Sequence, residues 1–272
     1  MRKTMVDVPT RDGVADAYLV RPDGVEPAPG VLVYQDAFGL RPRLTEMADR
    51  IAARGYVVLV PNLLYRGGRA PQFDLSDLAD PDRRGGVIGE IMPLVRALTT
   101  DLIVSDAGSY LDFLAAQDGV APGAVPLPPP GPPDGAENQG PAVALVGYCM
   151  GGMNAIRTAE AYPDRIAAVG SFHAGRLVTD QPDSPHLRVG EITAELYLAH
   201  ADNDGSMTPE NIETLEAALD RAGVRYTSEL YEGTRHGFTM ADTAAYSEAG
   251  EKRHWTNLFA LLDRALPAHP RS

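Results

Sequence analysis

Residues 142–160, AVALVGYCMGGMNAIRTAE, decide the fold of this chain. A continuous apolar run comes first, a glycine-flanked turn follows, and a segment of helical character closes the stretch. The apolar run predicts a strand that is buried on both faces. Gly147 and Gly151 stand two residues before and after Cys149, which predicts a sharp strand-to-helix turn that holds the cysteine strained and exposed at the top of a sheet.

Cys149 is the only cysteine of the chain, and two interpretations of it are open at this point. A lone cysteine is commonly a small buried apolar side chain. In a turn of this kind it is instead a candidate nucleophile. A single cysteine also excludes an internal disulfide and suits a reducing compartment.

The composition is that of an ordinary globular protein, with 272 residues of which 44% are hydrophobic and 22% charged. The formal net charge of −13 argues against the clustered basic surface that binds a phosphate backbone, so nucleic acid is not an expected partner. The first residues lack the apolar core of a signal peptide, and no run approaches the roughly 18 apolar residues of a membrane span. We therefore expect a cytoplasmic protein without a membrane partner, and the oligomeric state stays open.

Apolar runs alternate with helical segments along the chain. Strands are predicted at 15–20, 30–35, 56–60, 142–146, 166–171, 195–199 and 225–231. Helices are predicted at 43–54, 92–117, 152–161, 209–222 and 247–266. Because the elements alternate and several strands are uninterrupted apolar runs, the sequence predicts an α/β fold with a doubly wound, mostly parallel sheet.

Two segments interrupt this alternation. Residues 63–89 are rich in Arg, Asp, Gly and Pro and follow a strand end, so they are a candidate cover of an active site or a plain surface loop. Residues 121–141 contain a proline-rich run, which indicates a solvated insertion in a crossover connection. Strands on both sides of the insertion belong to one sheet, and we therefore expect a single domain over residues 1–272.

Two later strand ends supply the partners that a nucleophilic thiol needs. A thiol attacks an acyl carbon as thiolate, so it needs a base, and the base needs a carboxylate to orient it. The strand at 195–199 runs into Asp202 and Asp204, and the strand at 225–231 runs into His236. Nucleophile, acid and histidine in this order at successive strand ends are typical of α/β-hydrolases. We therefore expect a Cys-His-Asp triad.

Three motifs together resemble the dienelactone hydrolase family, the cysteine-nucleophile branch of the α/β-hydrolases. Residues 147–152, GYCMGG, match the G-Y-C-x-G-G turn of the family, and residues 231–238, YEGTRHGF, resemble its histidine loop. Residues 35–40, QDAFGL, resemble its Q-E-x-F-G segment. The resemblance runs from about residue 6 to residue 266 and implies an α/β-hydrolase fold.

The resemblance assigns the three members of the triad and one alternative for the acid. It makes Cys149 the nucleophile, His236 the base and Asp204 the acid, with Asp202 as the alternative acid. His200, at the same strand end as the two aspartates, is expected to be a hydrogen-bonded structural residue.

Three further positions follow from the resemblance. The backbone amides of Ala37 and Met150 are the expected oxyanion donors, the latter at a helix N-terminus whose dipole favours negative charge. Where the family has a glutamate that contacts the thiol at rest, this chain has Asp36, which is shorter by one methylene. We expect Asp36 either to activate the thiol or to contact the substrate; the alternative is a polar strand-end residue.

One departure from the family concerns the substrate. Four residues after the histidine the family's dienelactone hydrolases place an arginine that holds the substrate carboxylate, and this chain has Met240 there. A thioether cannot hold an anion. Met240 is therefore a candidate substrate contact of another kind, and Arg83 and Arg84 are candidate replacement cations, although each can be a solvated surface arginine.

These observations lead to the hypothesis of an enzyme that hydrolyses small carboxylic esters or lactones. No metal and no cofactor are expected, because no HExxH, CxxC or P-loop pattern occurs. Three alternatives remain. They are a carboxylesterase or thioesterase of other substrate range, a catalytically idle fold that acts as a binding module, and a thiol redox sensor, which usually has a second cysteine nearby.

Overall fold

The computed structural model describes residues 1–24, 27–80, 82–120 and 143–268. The proline-rich insertion predicted at 121–141 lies outside these residues. The described strands form one eight-stranded sheet in the order β1-β2-β4-β3-β5-β6-β7-β8. Their bounds are β1 (Arg2–Thr10), β2 (Gly13–Arg21), β3 (Gly30–Tyr34), β4 (Val57–Pro61), β5 (Val143–Tyr148), β6 (Ile166–Phe172), β7 (Glu195–Asn203) and β8 (Tyr226–Arg235).

The sheet is mostly parallel. The β1–β2 and β2–β4 pairs are antiparallel. The remaining pairs are parallel and run from β4 through β3, β5, β6 and β7 to β8. The described residues contain six α-helices, of which the first five lie between strands and the last follows β8: α1 (Pro42–Ala52), α2 (Arg84–Ala97), α3 (Thr100–Ala115), α4 (Met150–Ala161), α5 (Pro209–Ala222) and α6 (Glu248–Ala265). This arrangement confirms the predicted doubly wound, mostly parallel α/β fold.

Helices cover both faces of the sheet, which explains why the central strands are apolar at every position. In β3 the side chains of Val31 and Val33 belong to one core, and those of Leu32 and Tyr34 to the other. The first core contains apolar residues of α1 and α6, and the second contains residues of α3, α4 and α5. Successive strand residues point to opposite faces, so a strand between two helical layers must be apolar throughout.

Two predicted elements differ from the observed ones. The first strand, β1, is not among the predicted strands, because this mostly exposed edge strand, RKTMVDVPT, has neither a continuous apolar run nor a regular alternation of apolar and polar residues. The helix predicted at 92–117 is instead two helices. The break follows α2 at residues 98–99, where the Thr99 side chain accepts a hydrogen bond from the Leu102 amide at 3.3 Å and caps the start of α3.

The parallel strands place three chain segments at one edge of the sheet. β5, β7 and β8 run in the same direction and therefore end together. The turn after β5 leads into α4, the residues after β7 lead into α5, and the residues after β8 lead into a short turn before α6. Side chains in these three turns can meet above the sheet.

Candidate active site

The turn at residues 147–152, from here on the elbow, holds Cys149 in a strained backbone conformation. Cys149 has φ of 56° and ψ of −119° and stands immediately before α4. A side chain on Gly147 would lie 2.1 Å from the Gly151 carbonyl oxygen, and one on Gly151 would lie 2.3 Å from the Tyr34 carbonyl oxygen. Both glycines are therefore required by the close approach of backbone.

The structure brings Cys149, His236 and Asp204 together in a line of hydrogen bonds. His236 follows β8, and its Nε2 lies 2.9 Å from the Cys149 Sγ. Its Nδ1 lies 2.6 Å from Oδ2 of Asp204, which follows β7. The contact with Asp204 fixes the ring so that Nε2 faces the sulfur.

The two candidate acids have different surroundings. The side chain of Asp204 is 3% exposed, and its Oδ1 accepts hydrogen bonds from the backbone amide of Ser206 at 2.9 Å and from the Ser206 hydroxyl at 2.6 Å. Asp202 accepts a hydrogen bond from the Gly233 amide at 3.0 Å, and no contact between it and His236 occurs in the described part of the chain. Ser206 was missed by the sequence analysis, although Asp-x-Ser is a spacing typical of an Asx turn.

The electrostatics favour a charged imidazole. Burial disfavours the imidazolium, but the hydrogen bonds to Asp204 and Cys149 outweigh this and raise the pKa of His236 to about 10. Burial also tends to raise the pKa of Asp204, but the hydrogen bonds from His236 and Ser206 hold it below its usual range. At neutral pH the imidazole of His236 is therefore protonated and faces the negatively charged Asp204.

Two neighbouring histidines are buried and neutral. The ring of His173 packs edge-to-face on that of His236, with 5.5 Å between ring centroids, and burial lowers the pKa of His173 well below its usual value. Burial lowers the pKa of His200 to about 4. Neither ring nitrogen of His200 has a hydrogen-bond partner among the described residues, so the expected hydrogen bond is not observed.

The expected oxyanion donors lie on two adjoining segments. Ala37 belongs to the loop after β3, and Met150 is the first residue of α4. Gly151 packs directly on the carbonyls of Tyr34 and Gln35, which holds this loop against the start of α4. Within the described chain neither the Ala37 nor the Met150 amide donates a hydrogen bond, so both are available to a bound group.

Asp36 does not contact the thiol. Both of its oxygens accept hydrogen bonds from Arg41, at 2.6 and 2.9 Å, and Oδ1 also accepts from the Phe38 amide at 3.0 Å. Arg41 also donates a hydrogen bond from its Nε to Oδ2 of Asp242, at 2.6 Å. The buried guanidinium is thus shared by two carboxylates, which raise its pKa above the ordinary value although burial opposes this. The sequence analysis did not identify Arg41 as part of the site. Asp36 stabilises the loop after β3 and makes no hydrogen bond to the sulfur.

A cavity of about 560 Å³ opens beside His236 and adjoins a second cavity of about 490 Å³, with Arg84 and Ala244 in the walls of both. Residues 75, 76, 78, 84 and 88 of the predicted excursion line the second cavity, so this segment borders the site.

Of the three candidate substrate contacts, only Arg84 lines either of these cavities. Arg83 is engaged by Asp77 at 3.1 Å and Asp80 at 3.2 Å. Met240 is 1% exposed and packs in the core between the sheet and α6, because the turn at residues 237–240 directs it inward.

Neither a metal site nor a membrane span is found in the described residues. They contain no group of three or more His, Cys, Asp or Glu side chains arranged to hold a metal ion. Nor do they contain a helix whose length and hydropathy would allow it to cross a bilayer.

Comparison with known proteins gives consistent matches over nearly the whole chain. The model of the Dienelactone hydrolase family matches residues 15–127 and 135–266. A "Putative carboxymethylenebutenolidase" of Salmonella typhi is 26% identical over 261 residues, which are 93% of this chain and 84% of the relative. A protein of the same name from Synechocystis sp. is 25% identical over 269 residues, 98% of each chain.

Solved structures match the fold. The crystal structure of a "Putative Dienelactone Hydrolase" from Klebsiella pneumoniae superposes with a TM-score of 0.77 at 19% identity and covers 97% of this chain and 98% of its own. The expected α/β-hydrolase fold is thereby confirmed.

The Arg41 network yields a prediction about stability. Replacing Arg41 by Gln leaves Asp36 buried without its counter-charge, so we expect the free energy of unfolding to fall by about 3–5 kcal/mol in urea denaturation. Arg54→Gln, which removes an exposed pair with Asp263, is the matched control and should cost no more than about 1 kcal/mol. The double variant Asp36→Asn, Arg41→Gln should recover part of the loss. Equal stability of the two single variants would contradict this account.

The His236 environment yields a prediction about titration. In wild-type protein, NMR of the imidazole nitrogens should show His236 losing its proton near pH 10. Asp204→Asn removes the carboxylate that stabilises the imidazolium, so the pKa of His236 should fall and deprotonation should occur at lower pH. His200, neutral above about pH 4, serves as the internal reference. Titration of His236 near its ordinary value in both proteins would refute the geometry.

Proposed function

The chain belongs to the dienelactone hydrolase family, and from that premise we propose that it hydrolyses small carboxylic esters or lactones through a covalent thioester on Cys149. The observation that carries this proposal is the unbroken line of hydrogen bonds from the Cys149 sulfur through His236 to Asp204, at 2.9 and 2.6 Å. A nucleophile, a base and an orienting acid within this reach are the geometric requirement for nucleophilic catalysis.

In the acylation half of the reaction, Cys149 attacks the ester carbonyl carbon as a thiolate paired with protonated His236. The negative charge then develops on the carbonyl oxygen, and the amides of Ala37 and Met150 donate hydrogen bonds to it. One such donor typically lowers the barrier by about 3–4 kcal/mol. The tetrahedral species expels the alkoxide, which takes the proton from His236 Nε2, and a thioester remains on Cys149.

In the deacylation half, water takes the place of the alcohol. His236 removes a proton from the water, the hydroxide oxygen attacks the thioester carbonyl, and the same two amides stabilise the second tetrahedral species. The carbon–sulfur bond breaks, the acid leaves, and the Cys149 thiolate remains beside protonated His236. Asp204 holds the imidazole in position through both halves.

We infer that His236, rather than Asp36, generates the thiolate. The resemblance to the family implies an acidic side chain at position 36 that contacts the thiol at rest. In this chain Arg41 occupies both oxygens of Asp36, and the sulfur is already within hydrogen-bond distance of His236. Thiol activation therefore needs no movement of Asp36 when the substrate binds.

The proposed substrate range rests on relatives and on the cavity. The relatives described above carry the name carboxymethylenebutenolidase, which makes a lactone or related ester the first candidate class. Met240 cannot provide the family's cation, whereas Arg84 and Arg235 line the cavity beside His236, and Arg84 also lines the second cavity. We assign to Arg84 the contact with a negatively charged part of the substrate. Because the nucleophile must stay reduced, we also propose a cytoplasmic location.

The other functional classes have less support. A binding module that has lost catalysis has no need for three aligned reactive side chains at a strained turn. A thiol redox sensor usually pairs two cysteines, and this chain has one. A carboxylesterase or thioesterase of other range shares the proposed chemistry and differs only in the substrate.

Steady-state hydrolysis of p-nitrophenyl acetate tests the proposal. Cys149→Ala removes the nucleophile and should lower kcat by at least about 10³-fold, with an unchanged melting temperature. Asp204→Asn should also lose most activity, whereas the matched variant Asp202→Asn should retain it, because Asn can still accept from the Gly233 amide. Wild-type turnover in Cys149→Ala would eliminate the proposed function.

A further inference from the structure

Two strained residues follow β6 and take no part in the proposed mechanism. His173 and Arg176 have φ of 41° and 61°, in the left-handed region that few residues other than glycine adopt. The side chain of His173 is fully buried, so its conformation does not belong to a loose surface loop. Strain of this kind persists only where the surrounding structure enforces it, and it is frequent at active sites. The contacts of His173 therefore bear on function.

Backbone hydrogen bonds join His173 to the segments that carry the nucleophile and the acid. The carbonyl of Phe172, the preceding residue, accepts a hydrogen bond from the Cys149 amide at 3.1 Å. The His173 amide donates to the Ala199 carbonyl at 2.8 Å, in the strand that leads to Asp204. The backbone of His173 is thus fixed relative to both the elbow and β7.

The side chain of His173 reaches the third segment of the site, the turn after β8. Its ring packs edge-to-face on the rings of His236 and Phe238, with 5.5 and 5.1 Å between ring centroids. Its Nε2 lies 2.8 Å from Oγ1 of Thr239. One buried side chain therefore contacts three residues of this turn, including the proposed base.

His173 can pack on a protonated imidazole because it is itself neutral. Burial lowers the pKa of His173 well below its ordinary value, and the nearby charge of His236 lowers it further. A second charged imidazole at this distance would repel His236. Nδ1 of His173 has no hydrogen-bond partner in the described part of the chain, so the Thr239 hydroxyl sets the rotation of the ring.

On the basis of the proposed function, we propose that His173 is a positioning residue for the base: its ring, oriented by Thr239, holds the imidazole of His236 with Nε2 facing the sulfur. Asp204 bonds to Nδ1 at the other end of the imidazole, and one hydrogen bond leaves the ring free to turn about that contact. Packing against His173 removes this freedom. Loss of the support should weaken the contact between Nε2 and the sulfur, and so slow every reaction of the Cys149 thiolate.

Two variants remove the contact between His173 and Thr239 from opposite sides. His173→Phe retains a buried ring and loses Nε2, and Thr239→Val retains the shape of Thr239 and loses the hydroxyl. Both should lower kcat for p-nitrophenyl acetate by roughly tenfold, because displacement of a catalytic group by about 1 Å can cost about 100-fold. Thr239→Val leaves His173 itself unchanged, so it decides the question if His173→Phe does not fold.

Two further measurements report on His236 without turnover. Cys149 is the only cysteine, so alkylation by iodoacetamide at neutral pH reports on its thiolate alone. The alkylation rate should fall by at least about threefold in both variants, because the thiolate is the reactive form. By NMR, the pKa of His236, about 10 in wild-type protein, should be lower in both variants, because the hydrogen bond to Cys149 contributes to raising it.

His254→Phe is the matched control. His254 is also fully buried, its pKa is lowered well below the ordinary value by burial, and its Nε2 lies 3.0 Å from the Tyr148 hydroxyl. Among the described residues it makes neither a hydrogen bond nor a ring contact with His236. His254→Phe should lower the melting temperature about as much as His173→Phe does, because each leaves a buried hydroxyl without its partner. It should leave the alkylation rate and the pKa of His236 unchanged.

The outcomes separate this proposal from the proposed function. If wild-type protein hydrolyses no ester, the hydrolase function fails, whereas alkylation and NMR still test the role of His173. If His173→Phe and His254→Phe have the same alkylation rate and the same pKa of His236, His173 is structural only and the proposal is overturned. Wild-type values of both quantities in Thr239→Val would overturn it as well.

Discussion

The packing of Gly151 on the carbonyls of Tyr34 and Gln35 is the contact on which the site depends. A methyl group on Gly151 would lie 2.3 Å from the Tyr34 oxygen and 2.5 Å from the Gln35 oxygen, so only hydrogen allows the approach. This contact holds the start of α4, whose first residue is Met150, against the loop after β3 that carries Ala37. The strained backbone of Cys149 follows from the same geometry, because the chain must turn within one residue.

Two separate groups of charged residues stabilise the loop after β3 and act on the thiol. Arg41 binds the buried Asp36 and the partly exposed Asp242 and so holds the loop that carries Ala37. This leaves His236 as the partner of the thiol, with Asp204 as its counter-charge.

Local sequence patterns predicted most of the fold, and non-local contacts account for what they missed. The elbow and both ends of α5 can be predicted because each depends on a few adjacent residues. Thr208 caps the start of α5 by accepting a hydrogen bond from the Asn211 amide, and Gly223 ends it in the left-handed conformation. The β1 strand is not readable in this way, since an edge strand exposes most of its side chains and lacks a continuous apolar run. The Arg41–Asp36 contact could not be predicted either, because the partner of a buried carboxylate is set by the path of a loop and not by spacing.

Trapping of the acyl-enzyme is the most direct test of the account. Wild-type protein is mixed with p-nitrophenyl acetate, quenched in acid within the first turnover, and digested for mass spectrometry. We expect a burst of p-nitrophenol and an acetyl group on the peptide that contains Cys149, which neutral hydroxylamine removes as it removes a thioester. A burst of p-nitrophenol with no acetyl group on Cys149, or with the group on another residue, would contradict it.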